Sequence, residues 1–161
     1  MRRAGRLRVV FDCNTLVQAA ASENSAAANC MELVKTGTIE LFLSRAVLSE
    51  LRRVMNYPEV RAISPNMTSE RIAEFMGWLA YRGTVIKRVP AIFNYPRDPD
   101  DEPYVDLAVT CKAEYLVTRD KDLLSLMTGH TALCKDFRKR TSPLRVVKPA
   151  EFLTIAQHAS E

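Results

Sequence analysis

The chain has 161 residues, 47% of them hydrophobic and 26% charged, with a formal net charge of +4 at pH 7. That length reads as a single domain over 1–161, able to bury roughly 70% of its unfolded surface without a disulfide or metal staple. The composition excludes a disordered or fibrous chain, and no run of roughly 20 apolar residues is present to span a membrane.

The N-terminal stretch MRRAGRLRVVFDCN carries Arg2, Arg3, Arg6 and Arg8. Its apolar run, from Leu7, is interrupted by Arg8 and stopped by Asp12, short of the roughly 7–15 residues of a secretory core, so a cytoplasmic location is expected. Cys13, Cys30, Cys111 and Cys134 are scattered, without metal spacing, and read as reduced thiols in the interior. With only His130 and His158 beside them, zinc is not indicated. A second basic cluster comprises Lys135, Arg138, Lys139, Arg140, Arg145 and Lys148. Charge of this kind serves solubility and also attracts phosphates.

In chain order, residues 7–11 form a short, β-branched apolar run that predicts a buried strand. A helix over 26–35 follows, capped by Ser25 and stopped at Gly37. Residues 39–43 predict a second strand. Ser44 caps a helix to about Met55, with Val47, Leu48, Leu51, Val54 and Met55 on its apolar side. Pro58 enforces a break. Thr68 or Ser69 starts another helix, with Ile72, Phe75, Met76 and Leu79 at helical spacing and Gly83 as its stop. A third strand is expected at 84–89, then a proline-rich loop over 90–99. Asp101 can cap a helix through Lys112, tolerating Pro103 in its first turn. Residues 114–117 predict strand four, 121–127 a short helix, 144–147 strand five and 149–156 a last helix. Alternation of this kind implies a mainly parallel α/β sheet covered on both faces, whose ligands bind beyond the carboxyl ends of the strands.

That rule singles out acids. Asp12 directly follows the first strand and Asp120 the fourth. Asp101 opens the helix leading into strand four, with Asp98, Asp100 and Glu102 around it, and Glu50 lies within the helix after strand two. Right-handed crossovers can bring Asp12, Glu50, Asp101 and Asp120 to one edge of the sheet. Two carboxylates about 4 Å apart repel by roughly 4 kcal/mol at an effective dielectric of 20, so such a group takes up protons or binds a cation. Hard oxygen donors favour Mg²⁺ or Mn²⁺, which stabilise charge on a phosphoryl oxygen and acidify an attacking water, as phosphodiester hydrolysis requires. Each acid also has a plain structural reading: Asp101 as a helix cap, Asp98 and Asp100 as turn residues, Glu50 as a solvated side chain.

The blocks VVFDCNTLV, SRAVLSELRRVM, RDPDDEPYVDLAVTCKAEYLVTRDKDLL and VVKPAEFL, in this order over about residues 8–153, resemble the PIN-domain family. The branch they most resemble is the toxins of bacterial toxin–antitoxin pairs. The resemblance implies a three-layer α/β fold with a five-stranded, mainly parallel sheet in the order 3-2-1-4-5, flanked by helices. It also implies a ribonuclease dependent on Mg²⁺ or Mn²⁺. Its four acids map onto Asp12, Glu50, Asp101 and Asp120, both as metal ligands and as catalytic groups, with Asp98 as an accessory acid and Asp122 at a more variable acidic position. Asn14 and Thr118 stand at the polar positions that support the acids. An RNA substrate and a small antitoxin protein are the implied partners; pairing as a homodimer is left open.

Two departures stand out. Cys13 replaces the usual Thr after the first acid, and its side chain is expected to face away from the site. Arg119 replaces the commoner Gly before the fourth acid and either touches RNA phosphate or only alters the turn; phosphate contact is also expected of Arg138, Lys139 and Arg140 in the long basic connection over 128–143. A docking surface for the antitoxin is expected on the helices at 45–55 and 70–81, where Phe75, Met76, Trp78 and Leu79 exceed one buried stripe, although Trp78 reads equally well as core. Two rival functions remain open. FDCNTL resembles the opening of haloacid-dehalogenase-type phosphatases, but Asn14 cannot serve as their acid–base residue. The other is a PIN-like module that only binds RNA or protein, although four acids near a polyanion repel it unless a metal intervenes.

Overall fold

Val9, Val10 and Phe11 are completely buried, which a short apolar run achieves only at the centre of a sheet covered on both faces. The computed structural model describes residues 5–159; Arg2 and Arg3 of the N-terminal basic cluster lie outside them. The sheet has five strands: β1 (Leu7–Phe11), β2 (Ile39–Ser44), β3 (Thr84–Ile86), β4 (Tyr115–Val117) and β5 (Arg145–Val147). They lie in the order β3-β2-β1-β4-β5, and every neighbouring pair is parallel. This is the expected architecture. The third strand stops at Ile86 rather than at Val89: it is an edge strand that pairs only with Phe42–Ser44 of β2, and Lys87 and Arg88 beyond it are exposed.

Nine helices among the described residues flank the sheet: α1 (Cys13–Ala21), α2 (Ala26–Lys35), α3 (Arg45–Met55), α4 (Pro58–Arg61), α5 (Ser69–Arg82), α6 (Glu102–Thr110), α7 (Lys121–Thr128), α8 (Ala132–Thr141) and α9 (Pro149–Ala159). The predicted caps are in place: the side chains of Ser25, Ser44 and Thr68 accept from the backbone N–H groups of Ala28, Val47 and Arg71. Gly37 takes φ +74°, the left-handed turn expected after α2. Three helices were not foreseen. Asp12 ends the strand and at once caps α1, so strand passes into helix with no loop between them; Pro58 starts the four-residue α4 rather than only breaking the chain; and α8 fills the basic connection after Thr131 caps it.

The basic residues resolve into separate groups. Arg6 pairs with Glu40 at 3.7 Å, and the Arg8 guanidinium lies 4.7 Å from the centre of the Phe42 ring. Both sit at the amino end of β1, and Arg8 is four residues from Asp12, about 13 Å along the strand. Arg145, at the amino end of β5, pairs with Glu151 at 3.6 Å. These cations therefore face away from the crevice at the carboxyl ends of the strands. Among the described residues, no helix is long and apolar enough to cross a membrane.

Candidate metal centre

The chain reverses the direction of its strand order between β1 and β4, and in such a sheet a ligand crevice is expected beyond the carboxyl ends of those strands. Register places the first pair of site residues there. Phe11 is opposite Val117, so the next residues, Asp12 and Thr118, emerge side by side as the strands end. Asp12 is 4% exposed and Thr118 fully buried. Thr118 Oγ1 donates to Asp12 Oδ2 at 2.5 Å and accepts from the Asp120 N–H at 2.9 Å. One hydroxyl thus ties the acid after β1 to the acid after β4, the supporting role expected of Thr118. The other Asp12 oxygen, Oδ1, accepts from the Thr15 N–H at 2.9 Å, capping α1.

Asp120 caps α7 in the same way, its Oδ1 accepting from the N–H groups of Asp122 and Leu123 at 2.7 and 3.3 Å. The amino ends of α1 and α7 therefore point their positive dipoles into the crevice, an arrangement suited to negative charge. Asp101 is different. It precedes α6, yet its side chain makes no cap hydrogen bond, contrary to the capping reading of the sequence. Instead its carboxyl is turned inward, 6% exposed, with Oδ2 buried and without a partner. A buried, unpartnered carboxylate oxygen is costly unless something absent from the bare protein satisfies it.

Its surroundings identify the kind of group. One carboxylate oxygen each from Asp98, Asp101, Asp120 and Asp122 all lie within 4.8 Å of one another. The ligands of a single Mg²⁺ at about 2.1 Å are at most about 4.2 Å apart, so a small contraction converts this group into a coordination shell. All four donors are hard oxygens, as Mg²⁺ or Mn²⁺ requires, and the residues fit a divalent cation. Burial first, and then the charges of Asp120 and Asp98, push the Asp101 carboxyl up to about 8. Asp12 is also pushed up by burial, against the downward pull of its hydrogen bond from Thr118.

The tight cluster differs in membership from the four acids read from the sequence. Asp101 and Asp120 belong to it; Asp98 and Asp122, expected as accessory, complete it. Asp12 and Glu50 stand outside it, although Asp12 feels the charge of Asp120 and acts on both Asp101 and Glu50. Glu50, half-buried on α3, has its carboxyl raised by burial and by Asp100 and also feels the charge of Asp12. Asn14 is exposed in the first turn of α1 and makes no direct side-chain hydrogen bond; the direct bonds to Asp12 come from the Thr15 N–H and the Thr118 hydroxyl.

Cys13 does not face away. It is 6% exposed, its thiol pushed up to about 12 by burial and by Glu50, and it lies beside Tyr104 and Asp12. Tyr104, 2% exposed on α6, has a hydroxyl without a well-formed hydrogen bond and is raised by burial and by the Cys13 and Glu50 groups. Cys13 and Tyr104 are therefore buried groups that share the electrostatic surroundings of Asp12 and Glu50. Sequence reasoning also missed Asp106, a buried acid whose Oδ1 accepts from the N–H groups of Ile92 and Phe93 at 3.0 and 2.7 Å, pinning the loop that carries Asp98. An acid inside the apolar stretch YVDLAV was its signal.

Of the expected RNA contacts, Arg119 is exposed beside Asp120. Arg138 is not a free cation: its guanidinium donates to the Leu126 carbonyl at 2.8 Å. Leu126 is six residues along α7 from Asp120, about 9 Å from the crevice. Arg140 pairs with Asp136 at 3.4 Å, and Lys139 is exposed. Arg138 thus ties α8 to α7, while Lys135 and Lys139 are exposed and, among the described residues, Asp136 pairs with Arg140 alone. Exposed Lys121 and Lys148, which follow Asp120 and β5, sit closer to the acids.

A family model described as PIN domain matches residues 8–122, from β1 to the first turn of α7 and well over half of the chain. The chain belongs to the PIN-domain family. The match takes in Asp12, Glu50, Asp98, Asp101, Asp120 and Asp122, and leaves out α8, β5 and α9. No curated protein matches the chain. PIN domains are generally nucleases that use divalent metal ions, and the acidic cluster at the carboxyl ends of β1 and β4 is in keeping with that activity.

Proposed function

We propose that this PIN domain is an endoribonuclease that requires Mg²⁺ or Mn²⁺, acts in the cytoplasm and is the toxin of a toxin–antitoxin pair. The observation that carries the nuclease reading is the unpartnered, buried Oδ2 of Asp101 within a four-carboxylate group. Asp98, Asp101, Asp120 and Asp122 would hold the ion, with Asp12 and Glu50 as neighbouring acids. When bound, the ion supplies Lewis-acid stabilisation of phosphoryl charge and acidifies water. The protein's own residues orient the strand. Thr118 fixes Asp12 against Asp120, the amino ends of α1 and α7 favour a phosphate between them, and Arg119, Lys121 and Lys148 line the rim.

Cleavage of single-stranded RNA that appears with Mn²⁺ and vanishes with a chelator is the expected result; RNA bound but never cut under any divalent ion would support the non-catalytic alternative instead. The phosphatase alternative is disfavoured because Asn14, at the position of its acid–base residue, is exposed and makes no hydrogen bond near Asp12. Neutralising Arg119 and Lys121 together is expected to weaken RNA binding across sequences and to lower the salt slope by about 2, roughly 1 per phosphate contact. Titrations of RNA at several salt concentrations measure this; an unchanged slope would assign both residues to ordinary surface.

The toxin reading calls for an inhibitory partner, and a groove of about 660 Å³ supports it. Its floor is Met31, Met55, Met67, Ile72 and Phe75, with half-buried Trp78 in the wall and Glu23, Glu74 and Arg71 among its polar lining. Trp78 is thus neither wholly core nor free, and α2 lines the groove where α3 was expected, α3 adding only Met55. Such a groove suits the apolar face of an amphipathic antitoxin helix. Co-purification with a small neighbouring gene product, and loss of cleavage in that complex, tests the partner; self-association in its absence tests the homodimer.

A further inference from the structure

The acidic cluster has one basic neighbour whose position neither the sequence nor the family explains. Arg97, on the loop after β3, directs its Nε to Asp122 Oδ1 at 2.8 Å. Asp122 is one of the four clustered acids. The base of this arm is fixed, while its head is held only by the pair with Asp122. Asp106 holds the N–H groups of Ile92 and Phe93, the Tyr95 N–H donates to Glu102 Oε2 at 3.3 Å, and the Tyr95 hydroxyl donates to the Asp122 carbonyl at 2.8 Å. Phe93 packs against Tyr95 and Phe137, each ring centre 5.5 Å away. The Arg97 side chain beyond this anchored loop is 67% exposed.

We propose that Arg97 is the resident counter-ion of the acidic pocket, and that a divalent cation, by taking Asp122 from it, frees its guanidinium to hold a phosphate of the bound nucleic acid strand. The proposal rests on the metal-nuclease reading above and adds to it a substrate contact that exists only when metal is present. The physical basis is competition. An exposed ion pair is weak and exchanges readily, whereas a dication in the cluster satisfies Asp122 and repels a guanidinium alongside it. Released, the planar fork of Arg97 matches a phosphate's oxygens, and its anchored loop keeps it at the mouth of the pocket. Metal loading and RNA binding then become coupled, since the same side chain opposes the first and supports the second.

The test compares wild type with Arg97→Gln, which removes the charge and keeps much of the side chain's bulk. Calorimetric titration with Mn²⁺ alone is expected to show the variant binding the ion about two- to fivefold tighter, as removal of an exposed competing pair implies. Fluorescence anisotropy with a short single-stranded RNA in Ca²⁺ is expected to show about fivefold weaker RNA binding, with a salt slope smaller by about 1. Arg97→Lys, which keeps the charge without the fork, is expected to restore wild-type Mn²⁺ affinity but not full RNA affinity. Equal or weaker Mn²⁺ binding by Arg97→Gln, or undiminished RNA binding, would overturn the proposal while leaving the metal site intact. Absence of Mn²⁺ binding to wild type would instead overturn the metal-nuclease reading itself, and this inference with it.

Discussion

Asp101→Asn is expected to raise the stability of the metal-free protein by roughly 2–4 kcal/mol at pH 8 and to weaken divalent-cation binding at least about tenfold. In the folded protein the carboxyl is pushed from an ordinary 3.8 up to about 8, by burial first and then by Asp120 and Asp98. The unfolded chain ionises this group near its ordinary value. Between about pH 4 and pH 8 the folded state therefore holds a proton that the unfolded state has lost, and metal-free stability declines as pH rises through that window. Asparagine removes the effect. The variant should match wild type near pH 4 and exceed it increasingly up to pH 8, as urea unfolding with a chelator present would show. Parallel stability profiles across that range would mean that Asp101 is not the buried, strained acid described above. With saturating Mn²⁺ the order should reverse, because only the wild type gains the full binding energy of the ion.

Thr118→Val is expected to destabilise the protein by about 2–4 kcal/mol, a fall in Tm of roughly 6–12 °C for a chain of this size. The side chains are nearly isosteric, so packing is preserved and only the hydroxyl is lost. Two partners lose their bonds: the buried Asp12 Oδ2 loses its donor and the part-buried Asp120 N–H its acceptor. Asp12, already raised by burial, would hold its proton more tightly still, since the Thr118 bond is the largest influence pulling it down. Thr118→Ser should recover most of the loss. Thermal unfolding of the three proteins, with Mn²⁺ affinity measured alongside, separates a structural methyl from a structural hydroxyl; a valine variant as stable as wild type would show that the bridge between the two acids carries no weight.

The sheet was legible because its strands are short, β-branched and bounded by caps or glycine, and because Asp12 and Asp120 each stand where a parallel strand ends. Their order came from the family resemblance rather than from any local pattern. Two longer helices escaped for different reasons. Helix α1 follows β1 with only Asp12 between them, so no loop or turn residue separates strand from helix. Helix α8 has only Cys134 and Phe137 buried among many polar residues, too sparse a stripe to stand out.

At the site, residues that act through their own position in the chain were readable: Asp120 caps α7, and Thr118 follows β4 as Asp12 follows β1. Residues whose role depends on a distant neighbour were not. Asp101 looked like a cap because it precedes a helix, yet its carboxyl turns toward Asp98 and Asp120. Cys13 and Tyr104 meet only when α1 packs near α6, and Arg97 meets Asp122 only when the loop after β3 lies against α7. In the basic run at Arg138–Arg140, a charge count does not reveal that Arg138 also donates to the Leu126 carbonyl and so ties α8 to α7.

If the acids around Asp101 and Asp120 form one divalent-metal site, anomalous diffraction from a crystal soaked in Mn²⁺ is expected to show a peak within coordination distance, about 2.2 Å, of oxygens from both. Asp98 or Asp122 should complete the protein ligands, with Arg97 turned away from Asp122. A soaked crystal with no peak there, or with manganese bound only at another surface, would contradict such a site.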